Sequence, residues 1–195
     1  MPRVAERASL CGEQTHFDFY SAIKIIAFTG ESGAGKGKRI NVLEDAFPGL
    51  PTIRSQTTRA LRPLPQDREY TQMTKKEYAV LRHSGQLLWD VPLYGNDYGT
   101  IRSHIDDALC ADTPSLMHVC HDKVEVLQRY VRQTIGYSGV LSIYVACSDP
   151  SELKKRIVER APISQAELNR RVSGCIQNQR VQLASGNYHV KIDSR

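Results

Sequence analysis

The sequence predicts an α/β fold, a parallel sheet core with helices on both faces. Two observations carry this. Short β-rich runs alternate with helical patterns along the chain, the order that builds strand–helix–strand units. The first of those runs ends in a glycine-rich loop, and the residues after the loop can start a helix. At 195 residues the chain suits one compact domain.

Taken in order, the first strand is Ile23-Lys24-Ile25-Ile26-Ala27-Phe28-Thr29, a short β-rich run of the kind a buried parallel strand shows. Three further β-like runs lie at residues 51–55, 115–120 and 141–147. Helix starts are well punctuated. Thr74-Lys75-Lys76-Glu77 is a capping-box pattern, and Gly85 is a stop. Ser103 is expected to precede a short helix. Asp122 with Glu125, Asp149-Pro150-Ser151-Glu152 and Ser164-Gln165-Ala166-Glu167 read as three more N-termini, with Asp122 as an N-cap. Residues 57–67, rich in Thr, Arg and Pro, read as a loop. Residues 1–21 are expected to be a loosely ordered extension, and residues 22–195 a single domain.

Composition narrows the partners. The 26 Lys and Arg exceed the 21 Asp and Glu by a net charge of +5, which fits an anionic small ligand. No Lys/Arg block or basic helical stripe points to nucleic acid. Five cysteines form an odd count without a CxxC pair, so neither a disulfide framework nor a zinc site is indicated. Cys110, Cys120 and Cys147 sit in or beside apolar runs and are expected to behave as small hydrophobes. No segment approaches the roughly 18 apolar residues of a membrane span, and the N-terminal residues lack the apolar stretch of a signal peptide. A reducing, cytoplasmic location is the expectation.

Gly30-Glu31-Ser32-Gly33-Ala34-Gly35-Lys36-Gly37 matches GxxxxGK between a strand and a helix, the context that a phosphate-binding loop requires. Its glycines let backbone N–H groups turn inward, the helix N-terminus adds positive potential, and Lys36 reaches the terminal phosphates. The expected fold is therefore a P-loop NTPase fold. ATP is expected on Gly30, Ser32, Gly33, Ala34, Gly35, Lys36, Gly37 and Lys38. The Ser or Thr that usually touches magnesium is Gly37 here, so Mg2+ would be held mainly by nucleotide phosphates and water, with no protein metal ligands.

Beyond this loop the sequence resembles the guanylate kinase family over residues 23–193. Ser55-Gln56-Thr57-Thr58-Arg59-Ala60-Leu61-Arg62-Pro63 is similar to the family's S-x-T-T-R-x-x-R-P acceptor loop. Arg68-Glu69-Tyr70 sits where the family has x-D-Y. Gly85-Gln86-Leu87-Leu88 and Gly95-Asn96-Asp97-Tyr98-Gly99-Thr100 fit its G-x-[FL]-[LI] and G-N-x-Y-G-T segments. Leu153-Lys154-Lys155-Arg156, Arg160 and Arg171 reproduce the arginine spacing of its lid. The resemblance implies an acceptor-binding insert at about residues 54–103 and a helical lid at about 150–172. Ser55, Arg59, Arg62, Tyr70, Trp89, Tyr98 and Thr100 would meet the acceptor, and Lys36, Arg156, Arg160 and Arg171 would be catalytic. The residue types agree: Arg59 and Arg62, three apart, suit a two-armed grip on one phosphate, and Arg156 and Arg160, four apart, share a helix face.

Two departures stand out. The family's base-reading Glu, four residues after Gly85, is Trp89 here, which has one donor and no acceptor. The family's D-x-D after the third core strand is His118-Val119-Cys120, and neither residue is a hard-metal ligand. The phosphate-handling parts are present and the guanine-reading part is not. The resemblance thus implies an ATP-dependent phosphotransferase acting on a nucleoside monophosphate, GMP or another, as a monomer or homodimer. A sugar-phosphate kinase resembling ribose 1,5-bisphosphate phosphokinase and a non-catalytic guanylate-kinase-like binding module are the alternatives.

Overall fold

The computed structural model describes residues 22–63, 67–93, 95–159 and 163–194. The expected N-terminal extension and Arg160 lie outside them. The core is a five-stranded sheet in the order β2-β7-β1-β8-β9, built from β1 (Ile25–Thr29), β2 (Thr52–Ile53), β7 (Ser115–His118), β8 (Val140–Ala146) and β9 (Val190–Asp193). Every pairing in it is parallel. The helices are α1 (Lys36–Ala46), α2 (Lys75–His83), α3 (Arg102–Cys110), α4 (Val124–Ile135), α5 (Pro150–Val158) and α6 (Gln165–Ala184).

Strand alternation explains why both faces are covered. Ile25 and Ala27 of β1 pack on one side with Ile105, Leu127 and Val131 from α3 and α4. Phe28 packs on the other with Ile40, Leu153 and Leu168 from α1, α5 and α6. Each such buried aliphatic or aromatic side chain contributes about 1.5–3 kcal/mol. The apolar β1 run thus has no solvent face to supply with polar residues.

A second, four-stranded sheet has the order β4-β3-β6-β5, from β3 (Ser55–Thr57), β4 (Tyr70–Gln72), β5 (Leu87–Leu93) and β6 (Asn96–Ile101). The β-rich run at 51–55 therefore divides. Thr52 and Ile53 join the core sheet through β7, and Ser55 starts the second sheet. The β5–β6 hairpin and β9 carry no run as apolar as that of β1, and pairing rather than composition makes them strands. β5 contains a bulge between Leu87 and Trp89, which local pattern does not reveal.

Helix starts follow the sequence closely at three places. Thr74 accepts from the Glu77 amide and Glu77 accepts from the Thr74 amide, completing the capping box. Asp149 and Ser164 cap α5 and α6. Two expectations are corrected. α3 begins at Arg102 with Ile101 as N-cap, so Ser103 lies inside its first turn. Asp122 is not an N-cap: a 3₁₀ turn, His121–Lys123, intervenes, and Asp122 pairs with Lys123 at 3.0 Å. Among the cysteines, Cys110 is exposed and Cys120 half-buried, while Cys147 and Cys175 are buried. Among the described residues no helix is long and apolar enough to cross a membrane.

Candidate functional site

The glycine-rich loop is wedged between the sheet and α5. Gly30 has φ 146°, and a Cβ there would stand 2.2 Å from the Val145 carbonyl oxygen. Gly33 has φ 87°, with Leu153 Cδ1 2.9 Å from its Cβ position. Gly30 has no room for a side chain, and at Gly33 the positive φ favours glycine and a side chain would displace Leu153. Gly35 caps α1 without a side chain, and the first turn of α1 contains no acidic residue. The α1 N-terminus therefore presents amides and positive potential to an anion. Lys36 Nζ donates to the carbonyls of Gly30 at 2.7 Å and Glu31 at 2.9 Å, which holds the lysine inside the loop. Ala34 is buried, Ser32 and Gly37 are partly covered and Lys38 is exposed. Burial pushes the Glu31 carboxyl above its ordinary range, against the opposing pull of His121 and Lys36.

The second sheet gathers the other set. Thr57 and Val91 both pair with Tyr98, and Trp89 pairs with Thr100, so these residues share one face. Ser55 Oγ and Thr100 Oγ1 are 2.9 Å apart and buried. Trp89 packs against the main core cluster, which includes Ile53, Ile105 and Val119. Its neighbour Asp90 lies on the opposite face and accepts from Tyr78 Oη at 2.8 Å and from Arg82. Burial would raise the Asp90 carboxyl, but Arg82 and Tyr78 hold it below the ordinary range. Asp90 is thus engaged with α2 and does not substitute for Trp89.

Arg59 and Arg62 converge, as a two-armed grip should, but on a carboxylate. Asp67 lies 2.9 Å from Arg59 Nη2 and accepts from the Arg62 amide at 2.7 Å and Arg62 Nε at 3.1 Å. Arg59 Nε also donates to Tyr98 Oη at 3.1 Å, and its guanidinium lies over the Tyr70 ring at 5.7 Å. Tyr70 and Tyr98 meet edge to face, 5.8 Å between centroids. Burial drives the Tyr70 phenol well above its usual range, so it stays a neutral hydroxyl.

At the D-x-D position, His118 Nδ1 lies 3.2 Å from Tyr70 Oη and 3.6 Å from Glu69 Oε1. Burial would raise the Glu69 carboxyl, and His118 outweighs it and lowers it. Glu69 therefore places a carboxylate next to the histidine that occupies a carboxylate's position. Asp67 was not singled out from the sequence, and Glu69 entered only as the middle residue of the x-D-Y match. Their signal was weak: two acids within a polar loop, with no spacing rule to couple them to Arg59 or His118.

The arginines expected in a lid differ in their partners. Arg156 reaches the loop's outer side, bonding Gly33 O at 3.4 Å, Ser194 Oγ and Ser194 O at 2.9 Å each, and Glu152 at 2.7 Å. Arg171 pairs with Glu167 at 2.8 Å on α6. The structure thus brings Arg156 to the glycine-rich loop, while Arg171, about a third exposed, pairs with Glu167 one turn away. Among the described residues no cluster of three or more His, Cys, Asp or Glu is arranged to hold a metal ion.

No family model matches the chain. Among curated proteins it is similar to the guanylate kinase of Bordetella pertussis, 36% identical over 142 residues that cover 72% of this chain and 63% of that protein. It is also similar to the guanylate kinase of Symbiobacterium thermophilum, 30% identical over 150 residues that cover 76% of this chain and 68% of that protein. The chain thus spans about two thirds of the length of the curated relatives it matches, and slightly less for the Bordetella protein. Among solved structures, the crystal structure of guanylate kinase from Anaplasma phagocytophilum aligns with a TM-score of 0.61 at 19% identity, covering 90% of this chain and 78% of that one. That likeness shows the fold.

Proposed function

The chain belongs to the guanylate kinase family, and on that premise we propose that it is an ATP-dependent phosphotransferase that moves the γ-phosphoryl group of ATP to the phosphate of a nucleoside monophosphate. The observation that carries this reading is the pair of anion sites: a glycine loop shaped for phosphates, and a separate arginine pair that converges on one anion. A module that binds one partner has no need of both.

In this reading the loop amides and the α1 N-terminus hold the donor's phosphates, and Lys36 exchanges the Gly30 and Glu31 carbonyls for the terminal phosphates. The glycine positions, which a Cβ would fill, fit that donor. Mg2+ would be carried on the phosphates and water, since Gly37 offers no hydroxyl. The second sheet would be the acceptor insert, with Arg59, Arg62, Tyr70 and Tyr98 around the acceptor's phosphate. α5 and the start of α6 would be the lid, completing the charge clamp when it closes. Arg160 lies between these helices, outside the described residues.

The test is an ADP-release assay across nucleoside monophosphates and sugar phosphates. Arg59→Ala is expected to raise the acceptor KM on the order of tenfold to a hundredfold, the equivalent of one charge-assisted bond of about 1.5–3 kcal/mol. The ATP KM should barely move. Loss of ATP affinity alone would reassign the arginine to the donor side.

Trp89 shapes the base preference. Guanine presents N–H donors where the family places a carboxylate, and an indole N–H is a donor facing donors. An unpaired buried polar edge costs about 1–3 kcal/mol. The wild type is therefore expected to discriminate poorly between GMP and AMP, CMP or UMP. Trp89→Glu should raise kcat/KM for GMP relative to the other three by about tenfold. High selectivity for GMP in the wild type would show that another residue reads the base.

A further inference from the structure

Asp67 occupies the position in which an acceptor's phosphate would bind. Both arms of the arginine pair close on its carboxylate, and the Arg62 amide adds a third donor. Its side chain is 1% exposed, against 24% for Arg59 and 31% for Arg62. Carboxylate and phosphate offer the same two-oxygen edge to a guanidinium fork, so a phosphate bound here takes donors that Asp67 now uses. The backbone gives a second, independent observation. Asp67 has φ 65°, the sole positive φ at a non-glycine among the described residues. Left-handed backbone at a non-glycine is strained, and aspartate is one of the few side chains that tolerate it. In this left-handed turn the Asp67 carboxylate lies between the two arginines. Burial alone would raise the carboxyl, yet the arginines keep it far below the ordinary range and so ionised throughout the neutral region.

We infer that Asp67 is an internal anion that holds the acceptor clamp together and competes with the acceptor's phosphate, so that it sets acceptor affinity and selects against weakly charged ligands. The inference rests on the reading of Arg59 and Arg62 as the acceptor clamp. An unphosphorylated nucleoside brings no anion to displace the carboxylate and stays unbound. A phosphate dianion brings more charge and more acceptor oxygens than the aspartate it replaces, and releases the strained backbone as it binds.

The experiment compares the wild type with Asp67→Asn, which keeps the shape and tolerates the backbone, and Asp67→Gly, which fits φ 65° without strain. Each is titrated calorimetrically with inorganic phosphate and with GMP, and assayed for acceptor and ATP KM. Both variants are expected to bind inorganic phosphate and GMP about tenfold tighter, with the ATP KM within about twofold of wild type. Equal or weaker phosphate binding in both variants, with native circular dichroism, overturns the inference and leaves Asp67 a mere support for the arginines. Should the variants fold poorly, phosphate buffer is expected to restore them, because phosphate replaces the missing carboxylate; failure of that rescue in both also overturns the inference. The phosphate titration needs no turnover. A gain in phosphate affinity without turnover of any nucleoside monophosphate would defeat the proposed function and leave the competing anion standing.

Discussion

Lys36→Ala is expected to abolish phosphoryl transfer, with kcat falling on the order of a hundredfold to a thousandfold or more, the usual effect of removing a positioned charge from a transition state. The lysine sits within the loop it serves, on the Gly30 and Glu31 carbonyls. These two bonds hold the ammonium within the loop, and donor binding would exchange them for phosphate oxygens. Their loss costs about 1–3 kcal/mol of stability, which lowers Tm by a few degrees in a domain of this size. The fold should survive, because β1 and α1 are anchored by Ile25, Ala27, Phe28 and Ile40 in the two cores. Steady-state kinetics together with a circular dichroism melt separate the two effects. Turnover unchanged in a well-folded variant would remove the kinase reading altogether.

Gly30→Ala is expected to damage both stability and donor binding. A methyl group at that position would stand 2.2 Å from the Val145 carbonyl oxygen, a backbone atom of β8 that cannot rotate away. The φ of 146° adds strain for any residue with a side chain. Together these effects amount to roughly 2–6 kcal/mol, a large share of the ~5–15 kcal/mol that keeps a domain folded. Tm should fall on the order of 10 °C, at about 2–4 °C per kcal/mol. ATP affinity should fall with it, since the loop is pushed off the sheet. Gly37→Ala is the control. No atom lies within 4 Å of its Cβ position, and an alanine inside a helix is favourable by about 0.5–1 kcal/mol over glycine, so its Tm should hold or rise. Similar melting of the two variants would mean that the loop does not press on β8 as described.

The two glycines differ in a way no motif shows. One opens GxxxxGK and the other directly follows it, yet the first is required by a backbone clash 115 residues away in sequence (30 to 145) and the second stands in open space. The same division runs through the molecule. The P-loop, the β1 run, the capping box at Thr74 and the caps at Asp149 and Ser164 were legible because their physics is local. Each depends on dihedral preference, on side-chain period, or on a hydrogen bond spanning at most three residues. The α/β class followed from the same local signals in alternation, and the spacing of the arginine and tyrosine motifs pointed to phosphate chemistry.

Tertiary structure decided which partner each charged group takes. Arg59 and Arg62 could be read as a clamp from their spacing, but Asp67 as the anion between them depends on a left-handed turn that their sequence does not require. Arg156 was placed on a helix face, and only the arrival of the chain at Ser194 turned it toward the loop and the C-terminal strand. Asp90 stands one step along β5 from Trp89, on the opposite face, and α2 packing there engages it through Arg82 and Tyr78. Apolar burial and helix capping act along the chain, so sequence alone determined the frame and the phosphate loop. Ion pairs depend on where the backbone carries each charged group, so even partners as near in sequence as Arg62 and Asp67 were decided only by the turn that brings them together.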